Sequence, residues 1–157
     1  MDNVTHTLFA LTLARTPLGR AGRGTTAALI LASNAPDVDI VTAIPGGFVT
    51  YLRWHRGPTH GLLGIVGLGL VSAAIVWAFN RVSGARGLVG RRSASGRDGG
   101  SRASGAPASF LMLTAVSEIG IVLHVLMDLP TSYGTRLLSP FDWRWFAVDW
   151  MPIIDIY

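Results

Sequence analysis

The stretch that decides the fold is "GLLGIVGLGLVSAAIVWAF", residues 61–79, which carries no charge in 19 residues. That is close to the ~20 apolar residues a helix needs to cross the hydrocarbon of a bilayer. Gly64, Gly67, Gly69, Ala73 and Ala74 predict a face that packs closely on another helix, since in lipid small side chains let backbones approach. A second charge-poor run, 108–127, predicts a second span, although Glu118 and His124 lie within it. Outward from these, residues 4–14 and 25–33 read as two short helices around a turn with Pro17 and Gly19. Each is about half the ~20-residue length of a span, so they predict a tilted or re-entrant hairpin packed on the others. The expected fold class is all-α: a single integral membrane domain over 1–157 with two clear spans and an N-terminal short-helix hairpin.

Composition agrees. Half of the 157 residues are hydrophobic and 14% are charged, against roughly 25% in an ordinary soluble domain, and mean hydropathy is +0.44. With no cysteine, disulfides and thiolate metal sites are excluded, so any metal must be held by nitrogen and oxygen. All the basic residues are arginine, and the net charge is +4. Six of them fall in "RVSGARGLVGRRSASGRDGGSRASGAP", 81–107, against Asp98 alone. This Gly/Ser/Arg-rich segment has no apolar periodicity and reads as a disordered basic linker, not as a nucleic-acid module. The N-terminus lacks the basic n-region of a signal peptide, having Asp2 in its place.

The arginines also set a topology. By the positive-inside rule the 81–107 segment faces the cytoplasm, as does the hairpin turn with Arg15, Arg20 and Arg23. All four histidines then gather at the opposite face, at the outer ends of the helices. They sit in short polar motifs: "THTL" with His6, "HRGPTH" with His55 and His60, and "HVLMD" with His124 and Asp128. "NAPDVD" adds Asp37 and Asp39, and the tail "DW...D" holds Asp149 and Asp155. His124 and Asp128 are four apart, so they share a helix face. Asp37 and Asp39 would point the same way if the segment after Pro36 is extended. The Gly-Pro turn between His55 and His60 folds one imidazole towards the other.

Any one of these motifs has a bland reading, such as a core histidine or a helix stop. Ionisable groups in or beside spans are costly, however, and generally mark function. Seven candidate metal ligands result: His6, Asp37, Asp39, His55, His60, His124 and Asp128. Imidazole with carboxylate suits zinc best, with manganese or iron as alternatives. Arg56 is a candidate for holding a substrate anion, Asp39 or Asp128 for the general base, and Thr131, Tyr133 and Gly134 for lining the site. Glu118 lies about 120° around the helix from His124 and reads as a packed group, not a ligand. Arg53, Trp54 and Tyr51 read as an interfacial belt.

The order of these motifs, with "HVLMDLPTSYGTRLLSPF" and "DWMPIID" after them, resembles the LexA-regulated family of inner-membrane metal-dependent hydrolases. The resemblance covers nearly the whole chain outside the linker. It implies a bacterial inner-membrane location and metal-binding or catalytic roles for the same histidines and aspartates. Two departures stand out: Gly61 follows His60 where such proteins commonly carry serine, and the chain stops at Tyr157, which reads as a short or truncated tail. The expected activity is metal-dependent hydrolysis of an ester or phosphoester, small or lipid-linked, at the non-cytoplasmic face. The expected partners are membrane lipids and no nucleic acid. The alternative is a metal-ion transporter or a metal-binding membrane protein without catalysis.

Overall fold

The computed structural model describes residues 3–93 and 106–150. Among them the chain forms helices α1 (Asn3–Ala14), α2 (Pro17–Arg20), α3 (Thr25–Asn34), a 3-10 helix (Pro36–Thr42), α4 (Ala43–Trp54), α5 (Leu62–Ser93) and α6 (Phe110–Asp128). No strand is present among the described residues, only isolated bridges. Two segments, Leu62–Gly84 and Phe110–Asp128, are long and apolar enough to cross a membrane. A third candidate is a broken one, Thr25–Asn34 followed by Pro36–Trp54, bent by 47°. The all-α class, the two spans and the short N-terminal helices are as the sequence reads.

α3 is the centre of the bundle, packed between α1 and α6, and α6 packs on α5. Thr25, Ala28, Leu29, Ala32 and Ser33 are buried, a continuous helical face of mostly small residues. Gly120 is where α6 comes closest, since a β-carbon there would stand 3.2 Å from the Ala32 methyl and 3.3 Å from Ser33 Oγ. On α5 the packed stripe is Gly69, Ser72, Ala73 and Val76, while Gly67 and Ala74 face outwards. Small residues thus make the helix contacts, as expected where lipid competes for apolar side chains. Leu63, Val66, Val71, Ile75 and Phe79 of α5 and Leu111 and Leu126 of α6 are left exposed, an apolar surface suited to acyl chains.

One pole of the bundle is basic. Arg23 pairs through its backbone with Ala106 and Ala108 at 3.0 and 3.2 Å, and exchanges hydrogen bonds with Asn80. The preceding α1–α3 turn is closed by Thr25 Oγ1, which donates to Gly19 O and Gly22 O. Gly24 has φ 102° and its missing side chain makes room for the Asn80 amide, so only glycine fits. The two arginine-bearing connections therefore meet at one end.

Two expectations change. The segment read as a linker from residue 81 continues α5 as helix through Ser93; residues 94–105 lie outside the described ones. Glycine lowers helix propensity without forbidding helix, and the first turns past Asn80 extend an established helix, with Arg81 stacked on Trp77 at 4.0 Å. The segment after Pro36 is not extended: Pro36 opens a 3-10 helix, as its fixed φ allows at a first helical position.

Candidate metal centre

Five parts of the chain end at the pole opposite Arg23. The first turns of α1 bring His6, the end of α3 brings the Ser33 carbonyl, the 3-10 helix Asp37 and Asp39, and the turn after α4 brings His55, Arg56 and His60. The last turns of α6 bring His124 and Asp128.

Four of the seven expected ligands converge. His60 Nε2 and His124 Nε2 are 3.1 Å apart. Asp37 Oδ1 stands 3.7 Å from the first and 3.8 Å from the second, and Asp128 Oδ2 stands 3.5 and 3.4 Å from them. An ion with four nitrogen or oxygen ligands at about 2.0–2.1 Å holds them about 3.3 Å from one another, so the set has the span to close on one cation. All four ligand atoms lie within 4.8 Å of one another.

The tautomers strengthen the fit. His124 Nδ1 is 2.7 Å from Ser33 O, and a carbonyl only accepts, so Nδ1 carries the proton. His60 Nδ1 is 3.0 Å from Thr59 Oγ1, whose own proton goes to Asp39 Oδ2 at 3.3 Å, so Nδ1 donates here too. Both Nε2 lone pairs then point at each other between two carboxylates, an arrangement that repels itself unless a cation sits among them. Burial pushes the His60 pKa below its usual value, against the pull of Asp128, so the imidazole is kept in the neutral form that ligates metal. Hydrogen bonds that fix the far nitrogen of a ligating histidine are the usual support of such a site.

The 3-10 geometry divides the two aspartates of "DVD". At three residues per turn, positions two apart point about 120° from each other. Asp37 faces His60 and His124, whereas Asp39 faces the turn. Asp39 accepts from His55 Nδ1 at 3.1 and 3.2 Å, from the Arg56 backbone N–H at 2.9 Å and from Thr59 Oγ1. Its oxygens are spent on holding "HRGPTH" in shape. His55 stands behind Asp39, between Tyr51 and Tyr133, with ring centroids 4.6 and 5.5 Å away. Neither residue belongs to the four-ligand group. His6 is adjacent to it: its ring stacks on His124, and Nε2 is 3.6 Å from Asp128 Oδ1.

Arg56 is buried, not poised in an open cleft. With φ 54° its backbone takes a left-handed turn that non-glycine residues seldom adopt. Nη2 donates to Asp128 Oδ1 at 3.0 Å, and Nη1 donates to Thr131 Oγ1 and Gly134 O at 2.9 and 3.2 Å. Thr131 and Gly134, expected to line the site, hold the guanidinium, and Tyr133 lies 5.3 Å under it. Asp149 is exposed and is not one of the four clustered ligands, and Asp155 lies outside the described residues. Sequence reasoning missed Ser33, which acts through its backbone carbonyl and has no side-chain signature for that role. It also passed over Thr59, although the residue sits inside the motif.

Fold and site together define a multi-pass helical membrane protein with a buried His/Asp cluster of metal-ligand type. The chain belongs to the YdjM inner membrane protein family, which it matches over residues 1–157, and it is accordingly a protein of the bacterial inner membrane. It is also similar to the "Uncharacterized protein YfhP" of Bacillus subtilis (strain 168), 27% identical over 128 residues, 82% of this chain and 31% of that protein. The chain therefore spans about a third of the length of that relative. No solved structure matches.

Proposed function

We propose that this protein is a metal-dependent hydrolase of the inner membrane, acting on an ester or phosphoester at the non-cytoplasmic face, as its resemblance to LexA-regulated membrane hydrolases implies. The carrying observation is the pair of facing Nε2 lone pairs 3.1 Å apart, flanked by Asp37 and Asp128. Zinc fits this donor set best, with manganese or iron as alternatives. When bound, the ion supplies Lewis-acid polarisation of a substrate oxygen and lowers the pKa of its water towards neutrality.

The residues divide the remaining work. His60, His124 and Asp128 are fully buried and form the fixed part of the ligand set. The Asp37 side chain is 12% exposed, so it marks the side from which water and substrate arrive. Asp37 faces the two histidines through Oδ1, while its Oδ2 has no hydrogen-bond partner. This second oxygen, in place of one on Asp39 or Asp128, is best placed to take a proton from water: Asp39 is saturated by donors from the turn, and Asp128 is held by Arg56. Arg56 contributes by fixing Asp128 and by placing positive charge beside the site, where an anionic transition state forms. A lipid-linked substrate suits the apolar surround.

Transport without catalysis is the competing reading. Ser72 and Ser117 are buried within the spans, and Ser117 Oγ has no hydrogen-bond partner, so some polarity continues below the cluster. The deciding experiment measures metal content and hydrolysis of generic phosphoester and carboxyl-ester substrates by detergent-purified protein, beside metal uptake into vesicles. Metal-dependent hydrolysis lost in Asp37→Asn supports the enzyme. Uptake without hydrolysis, lost in Ser72→Ala, overturns it.

A further inference from the structure

Beyond α6 the chain makes a tight pair, Thr135 with Phe146, each backbone N–H donating to the other's carbonyl at 2.8 Å. This brings Arg136 against two tryptophans: its guanidinium carbon lies 4.6 Å from the Trp145 ring centroid and 5.4 Å from that of Trp143. Nη1 donates to Arg53 O at 2.8 Å, and the backbone N–H of Arg136 donates to Arg56 O at 2.9 Å. Trp54 meets Trp143 edge-on at 5.8 Å. Arg53, Trp54, Arg136 and Trp143 together line a pocket of about 230 Å³, on the outer side of the turn whose inner side carries His60.

Three features of this pocket point to an anion. Arg136 Nε is buried and has no hydrogen-bond partner, an unmet donor in a group that offers five N–H bonds in a planar fork. Two aromatic faces hold the guanidinium plane and exclude water from it, leaving its edge to bond a ligand. The neighbouring carboxylate, Asp142, is already taken by Arg144 at 2.6 and 2.7 Å, so it does not neutralise Arg53 and Arg136. The size is informative as well, because pockets that enclose a whole small molecule run to roughly 300–1,000 Å³. This one suits a head group whose remainder lies outside. Directly before Arg53, α4 buries none of its residues. On the stretch of α4 after its kink at Gly47, Phe48, Val49 and Leu52 are exposed, an apolar track that ends at the two arginines.

We propose that the Arg53/Arg136 pocket binds the phosphate of an anionic membrane phospholipid, whose acyl chains lie along α4. Arg136 supplies the forked donor, Arg53 the second charge, and Trp54 and Trp143 the interfacial walls, the usual place of tryptophan at a membrane surface. The site is separate from the metal cluster and does not depend on hydrolysis.

Native mass spectrometry of the full chain, delipidated in detergent and titrated with phosphatidylglycerol or phosphatidylcholine, tests this. Wild type should retain phosphatidylglycerol in preference to phosphatidylcholine. Arg136→Gln should weaken phosphatidylglycerol binding about tenfold, the effect of a lost charge-assisted hydrogen bond. Arg136→Lys should fall between, since it keeps charge but not the fork. Arg53→Gln changes an exposed side chain and should weaken binding while metal content stays as in wild type, which separates lipid loss from misfolding. Equal phosphatidylglycerol retention by wild type and the Arg53→Gln/Arg136→Gln double variant overturns the proposal, as does equal retention of the two lipids by wild type. Inorganic phosphate bound as tightly as phosphatidylglycerol overturns the lipid source and assigns the pocket to a soluble phosphate.

Discussion

His6 lies flat on His124, with ring centroids 3.8 Å apart and planes 26° from parallel, and neither of its ring nitrogens makes a hydrogen bond. A histidine from the first turns of the chain thus backs a candidate ligand contributed 118 positions later, and α3 holds the two helices at that spacing.

The contact predicts a support role that size and shape can satisfy. His6→Phe keeps the stacked ring and should retain metal affinity within a few-fold, whereas His6→Ala frees the His124 ring and should cost about 10–100-fold, the usual effect of losing a supporting contact around a ligand. Competition with a chelating dye on the purified protein checks both. Loss of binding in His6→Phe equal to that in His124→Ala would instead make His6 a ligand.

The division of "DVD" predicts unequal effects for its two aspartates. Asp37→Ala removes a ligand and should abolish stoichiometric metal. Asp39→Asn leaves the four-ligand set intact and should reduce affinity about 10–100-fold through the Thr59–His60 chain. Metal analysis of the two variants decides the assignment. Full occupancy in Asp37→Ala, or complete loss in Asp39→Asn alone, would reverse the two roles.

Arg56→Lys should destabilise the protein despite keeping charge. One ammonium cannot reproduce donors aimed at Asp128, Thr131 and Gly134 together. Loss of one or two such buried bonds costs about 2–3 kcal/mol, readable as a lower melting temperature in detergent. An unchanged melting temperature would show that the guanidinium contacts contribute little to the fold.

Gly120→Val should act on the site from a distance. Its side chain would enter the 3.2–3.4 Å space facing Ala32, Ser33 and the Leu29 carbonyl. Overpacking of this kind costs about 1–3 kcal/mol, and it pushes α3 away from α6, where Ser33 O orients His124. Reduced thermal stability and reduced metal affinity should appear together. Wild-type metal affinity in a destabilised Gly120→Val would show that the Ser33 contact survives the shift.

The topology is open to a direct check. A reporter active only outside the cytoplasm should be silent when fused near Ser95 and active when fused after Trp150, because the basic pole faces inwards. Activity near Ser95 would place the metal cluster on the cytoplasmic side.

The spans, the two short helices and the i, i+4 pair His124 and Asp128 were legible because each rests on a local rule: an uncharged run, a charged turn, or one helical turn of spacing. The gathering of His6, His60 and His124 at one pole followed from counting arginines, since two basic connections on one side leave the other helix ends together. What escaped was decided by backbone. Whether "PDVD" runs extended or as a 3-10 helix turns Asp39 from a ligand into an anchor, and one proline permits both. Ser33 serves through a carbonyl that every residue possesses. Arg56 looked like a substrate clamp because nothing local reveals that Asp128, 72 positions away, already occupies it.

α3 also works as a spacer of fixed length. Its N-cap is Gly24, locked against Asn80, and it ends one residue after Ser33, whose carbonyl holds His124. One residue added to a helix advances its end by about 1.5 Å and turns it by about 100°, which would aim the Ser33 carbonyl away from the imidazole and carry Asp37 out of reach of His60. The side chains of α3 can therefore drift among small residues, but its count of residues cannot. Single-residue insertions or deletions within it should be far less tolerated than substitutions.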